Sequence, residues 1–133
     1  MKVIVCVEDN YGISLFGKRL SFDRIVFEKI KKITKHSKLY SKKESDRILC
    51  EHDVSHEIID DFDNVSLEDF IFLEFDSLPM DKIEEIYIFH WNRKYPSNLK
   101  FNVDLTNYNL IEREEFKGYS HELVRMEKYV KKV

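Results

Sequence analysis

The chain has 133 residues, of which 43% are hydrophobic and 14% aromatic, enough to bury one continuous core and too apolar for a disordered tail. Its formal net charge is only −3, but the charge is segregated: residues 18–50 carry eleven basic groups against four acidic, and residues 51–85 carry one against thirteen. No apolar run approaches the roughly 20 residues of a membrane helix, and the short run after Lys2 is no signal-peptide core, so a cytoplasmic protein is expected.

Residues 3–7, Val-Ile-Val-Cys-Val, form a β-branched apolar run that predicts a strand buried on both faces. A polar loop over 8–20 follows, holding Gly12 and Gly17, two of the three glycines. Ser21 is placed to cap a helix in which Phe22, Ile25, Val26, Ile30 and Ile33 recur at spacings of three and four. Glu28 and Lys32 sit one turn apart, and lysines crowd the final turn, where they oppose the helix dipole. Beyond it, 41–46 predicts the start of a short helix, 47–50 a short strand and 51–66 an acidic connection. Residues 70–75 and 85–91 read as strands separated by a turn or short helix near 77–81. A loop over 93–98, a strand over 108–112 and an alternating strand over 121–130 complete the chain. This order predicts a single α/β domain with a mixed, mostly parallel sheet and flanking helices. Cys6 and Cys50 are expected to be unpaired.

Several stretches carry possible chemistry. Cys50-x-His52-x-x-x-His56 has donors at near-helical spacing but lacks the doubled pattern of a specific metal motif, and no metal is expected. His90-Trp-Asn-Arg-Lys-Tyr-Pro96 sets the only tryptophan beside two cations; it is either a binding platform or a sheet-edge cap with a solvated Arg93. The lysines of 29–43 lack interleaved aromatics apart from Tyr40, so nucleic acid is not an expected partner. Spacing singles out no Ser/His/Asp or Cys/His nucleophile.

The opening Val3-Ile-Val-Cys-Val-Glu-Asp-Asn-Tyr-Gly-Ile13, followed by Gly17-Lys-Arg-Leu20 and a helix ending Lys31-Lys-Ile-Thr34, resembles the start of dihydrofolate reductase. Ile86-Tyr-Ile-Phe89, Phe101-Asn-Val-Asp-Leu-Thr106 and Tyr108-Asn-Leu-Ile-Glu-Arg-Glu-Glu-Phe116 resemble later segments of that family in the same order, so the resemblance covers 1–35 and 83–130 around a shortened centre. It implies a dihydrofolate-reductase-like sheet whose glycine-bearing loop folds over a flat ligand, the glycines supplying positive φ and close backbone approach.

Several positions depart from the family's pattern. Its pterin-protonating acid would fall at Val26, with Asp23 and Glu28 displaced from it; Ser21-Phe22 replaces Pro-Trp. The Gly-Gly that meets the cofactor pyrophosphate would fall near Leu73-Glu74, where a carboxylate repels phosphate. The Gly-Arg-x-Thr clamp has only a loose echo in Ser41-Lys42-Lys43-Glu44, which makes Lys42 and Lys43 the phosphate-contact candidates.

The reading is therefore a non-catalytic binding protein with no cofactor, the alternative being an NADPH-dependent reductase of altered specificity. Asn10, Tyr11, Gly12, Ile13, Asp23, Phe27, Trp91 and Arg93 are the candidate ligand or partner contacts. The expected partner is a small molecule or a basic protein, such as a toxic nuclease neutralised by the acidic block as an immunity protein would do, because complementary charge speeds association.

Overall fold

The computed structural model describes residues 1–133, apart from the side chain of Met80. Its centre is a seven-stranded sheet. In chain order the strands are β1 (Lys2–Val7), β4 (Leu39–Ser41), β5 (Glu57–Ile58), β6 (Phe70–Leu73), β7 (Glu85–His90), β9 (Tyr108–Phe116) and β10 (Val124–Lys131). Across the sheet they run β5-β4-β6-β1-β7-β10-β9. The first five are mutually parallel, and β10 and β9 close the edge antiparallel.

The central strands alternate in a way that buries both faces. Ile4, Phe70, Phe72, Tyr87 and Phe89 join one core, while Val3, Val5, Val7, Ile71, Leu73, Ile86 and Ile88 join the other. A period of two that is apolar on both faces through the middle of each strand, with Lys2, Glu85 and His90 only at strand ends, is what a sheet covered on both sides requires. Both helices, α1 (Arg24–Ile33) and α2 (Lys43–Glu51), pack on the first face through Val26, Phe27, Ile30, Ile48 and Leu49. The second face is covered by non-helical chain carrying Phe62 and Phe101, with Ile59, Val65, Leu99 and Val103 packed against them.

Three expectations change. Asp23, not Ser21, caps α1: its carboxylate accepts the Ile25 N–H at 2.9 Å, and its extended backbone (φ −151°) is the conformation of a cap residue. Arg47–Cys50 is helical rather than a strand, because Ser45, Ile48 and Leu49 fall on one helical face and are all buried. The expected loop 8–20 contains a hairpin, β2 (Gly12–Leu15) and β3 (Lys18–Arg19), which joins β8 (Leu99–Lys100) in a second sheet ordered β3-β2-β8.

The two early glycines divide the work assigned to both. Gly17 (φ 74°) and Phe16 (φ 47°) form the two-residue turn between Leu15 and Lys18, and two successive positive φ values mark a type I′ hairpin. Gly12 has no positive φ; a Cβ there would lie 2.0 Å from Ser97 Oγ and 2.8 Å from Glu8 Oε2. Close approach alone requires that glycine. Among the described residues no helix is long and apolar enough to cross a membrane.

Candidate functional site

The carboxyl ends of β6, β1 and β7 lie side by side, the place where open parallel sheets hold ligands. Directly beneath the hairpin this region is almost closed: Trp91, Phe27, Phe72, Leu73, Val26 and Ile13 leave about 10 Å³. Above it opens a groove of about 670 Å³. One wall is Lys18, Arg19, Leu20, Ser21 and Phe22, and the other is Arg93, Tyr95, Ser120 and His121. Phe22 is 53% exposed there and offers a flat apolar surface. Lys18 and Arg93 make no ion pair among the described residues, so the rim carries two free positive charges.

The third rim cation is committed. Arg19 grips Glu74 with two parallel bonds, Nε to Oε2 at 2.5 Å and Nη2 to Oε1 at 2.7 Å, and Ser45 Oγ donates to Glu74 Oε1 at 2.7 Å. Glu74 is buried just past the end of β6, so its charge is neutralised within the protein and α2 is tied to β3 through it. Desolvation pushes the Cys6 thiol beside it well above its ordinary value, and the Glu74 charge adds to the effect, so that sulfur stays protonated.

On the opposite wall the structure assembles a network that spacing did not suggest. Asp23 Oδ1 accepts the backbone N–H groups of Ile25 and Tyr119, both at 2.9 Å. Its Oδ2 accepts the N–H groups of Ser120 (2.9 Å) and His121 (3.2 Å), the Ser120 hydroxyl and the His121 ring Nδ1 at 2.9 Å. Burial alone would raise this carboxyl, but the bonds from Tyr119, His121, Ser120 and Ile25 outweigh it and hold it well below the usual carboxylate range. His121 Nε2 lies 3.0 Å from Ser21 Oγ, and the ring is stacked on Trp91 with centroids 4.6 Å apart. Gly118 makes the network possible, since a Cβ there would lie 2.6 Å from Asp23 Oδ2. Of the network's members the sequence singles out Asp23 as a candidate contact, while nothing in the sequence links it to Ser21 or His121.

The remaining sequence candidates are scattered relative to this groove. Ile13, Phe27 and Trp91 converge in the closed inner cavity. Asn10, Tyr11 and Gly12 line neither the cavity nor the groove: Asn10 and Gly12 donate their N–H groups to Glu8 Oε2, and Tyr11 packs edge-on against His90. Lys42 and Lys43 border a separate depression with Gly17, Glu44 and Asp76, where Lys42 faces Asp76 at 3.8 Å. His52 stacks on Phe27 at 4.4 Å rather than joining Cys50 and His56; Asp46 stands beside those two instead, and the three donor atoms lie within 4.8 Å of one another.

No protein-family model and no curated protein matches the chain. Among solved structures, dihydrofolate reductase from Enterococcus faecalis, complexed with NADP(H) and RAB-propyl, superposes with a TM-score of 0.69, covering 99% of this chain and 96% of that one at 9% identity. This is a dihydrofolate-reductase-like fold. At that identity the likeness is one of architecture, and architecture alone does not carry chemistry. Within the dihydrofolate-reductase-like frame, the α1 position expected to hold an acid is Val26, 1% exposed and part of the core.

Proposed function

We propose that this chain is a binding protein on a dihydrofolate-reductase-like fold, taking a small anionic molecule with a flat apolar body in the groove between the hairpin and Arg93. One observation carries the reading. The inner cavity is filled by side chains while the groove above it stays open, rimmed by the unpaired cations Lys18 and Arg93 and by the exposed ring of Phe22. A few directed charges around an apolar wall are the usual composition of a small-molecule site.

The alternative of an NADPH-dependent reductase is less well supported. The residues at the end of β6 do not suit a pyrophosphate, because Glu74 presents a buried carboxylate already satisfied by Arg19 and Ser45. A phosphate arriving there would find Arg19 and Ser45 already committed to Glu74. Phenyl phosphate is a suitable probe of the favoured reading. In an NMR titration it should shift the Trp91 indole and Arg93 resonances with millimolar affinity, and Arg93→Ala should weaken binding by about fivefold or more. Shifts confined to other surfaces would overturn the assignment. Calorimetry with NADPH decides the alternative: 2′-phosphate-dependent binding would restore the reductase.

A basic protein is the second candidate partner. The exposed Glu51, Asp53, Glu57, Asp60, Asp61 and Asp63 cluster beside the edge strand β5, where Ile58 is half-exposed. Binding to a basic nuclease should then weaken steeply with added salt, and salt-independent binding would count against it.

A further inference from the structure

Ser21 and Asp23 come from the opposite end of the chain to His121, yet the fold sets the three in one hydrogen-bonded line, with Ser21 and His121 meeting across the groove and Asp23 buried behind them. We propose that they form a hydrolytic triad cleaving a small ester that carries a negative charge, with Lys18 and Arg93 recognising that charge. The substrate class rests on the reading of the groove as an anion site; the triad geometry does not.

Each member has a role fixed by its contacts. Asp23 is 1% exposed and held ionised by the four backbone N–H groups around it, so it takes the proton of His121 Nδ1 as a hydrogen bond at 2.9 Å. That fixes the imidazole tautomer and leaves the Nε2 lone pair facing the Ser21 hydroxyl at 3.0 Å. Stacking on Trp91 holds the ring plane. His121 is 5% exposed, whereas Ser21 is half-buried and lines both the cavity and the groove. The nucleophile is thus the member most open to a substrate. The neighbouring Cys6 is no competitor, being kept as the thiol.

The chemistry balances with water alone as co-reactant. Ser21 Oγ attacks the ester carbonyl as its proton passes to His121 Nε2. The bond from the carbonyl carbon to the alcohol oxygen breaks, and the alcohol leaves with that proton, giving an acyl-Ser21. Water then attacks the acyl carbon, hands a proton to Nε2, and the carboxylic acid departs as Oγ recovers its proton.

The test uses the full chain with a fluorophosphonate and with mono-p-nitrophenyl succinate, an ester that bears a carboxylate. The expected result is one adduct per chain, mapped to the peptide containing Ser21, and release of p-nitrophenol. Ser21→Ala should abolish both, His121→Gln should slow release by about a hundredfold or more, and Arg93→Ala should raise KM more than it lowers kcat. Ser21→Ala leaves the Asp23 cap intact, so its thermal midpoint should match the wild type; if that variant misfolds, adduct mapping on the wild type still decides. Folded wild type that is unlabelled, or labelled elsewhere, overturns the proposal. Phenyl phosphate binding separates the two readings: binding without labelling sinks the triad and spares the anion site, and labelling without binding does the reverse.

Discussion

Removing the Asp23 carboxylate should be the most damaging single polar change in this protein. Asp23→Ala deletes the cap of α1, worth about 1 kcal/mol. It also strips the acceptor from the N–H groups of Tyr119, Ser120 and His121 and from the His121 ring. At about 1 kcal/mol for each of these four partly buried donors left without a partner, the total with the cap is about 5 kcal/mol, a large share of a typical domain's stability. Urea unfolding followed by the fluorescence of Trp91, the only tryptophan, measures it directly. With a slope of about 2 kcal/mol per molar urea the midpoint should fall by about 2.5 M.

Acid provides an independent check on the same residue. The folded value of Asp23 lies below its unfolded one, so its contribution is complete above the unfolded value and drains away as pH falls through the folded one. The gap between wild type and Asp23→Ala should therefore be full near neutrality and narrow steadily below about pH 4. Midpoints within about 0.3 M of each other, or a gap that persists in acid, would refute the account of this network.

Other substitutions test other parts of the argument. Gly118→Ala should destabilise by about 2 kcal/mol, because the new methyl would sit 2.6 Å from Asp23 Oδ2 and 3.0 Å from the His121 carbonyl; an unchanged melting temperature would contradict it. Gly12→Ala should cost a similar amount, about 1–3 kcal/mol, and a double-mutant cycle with Ser97→Gly should recover much of the loss. Ile30→Ala, at a fully buried site between α1 and the sheet, should cost about 2–5 kcal/mol in urea unfolding. Phe16→Asn should raise the thermal midpoint, since asparagine suits the positive φ of the hairpin turn and the Phe16 ring, 79% exposed, has little packing to lose; a fall in the midpoint would argue against the turn type.

The sequence by itself determined the frame. Val-Ile-Val-Cys-Val reads locally as a strand buried on both faces, residues 70–75 and 85–91 read as strands, and the Phe22, Ile25, Val26, Ile30 and Ile33 spacing reads as a helix. Such signals are local because a strand's or helix's period is a property of neighbouring residues. What the sequence could not decide were the features that depend on distant partners. Ser21 looked like the cap until the loop at 118–121 supplied N–H donors that hold Asp23 in that role. The hairpin over Gly12–Arg19 needed β8, more than 80 residues away, to make a sheet. His121 faces Ser21 across a separation of 100 residues, and no periodicity encodes a contact of that range. Only closing the sheet brought them within hydrogen-bonding distance, because a side chain's chemistry is set by what packs against it rather than by what precedes it along the chain.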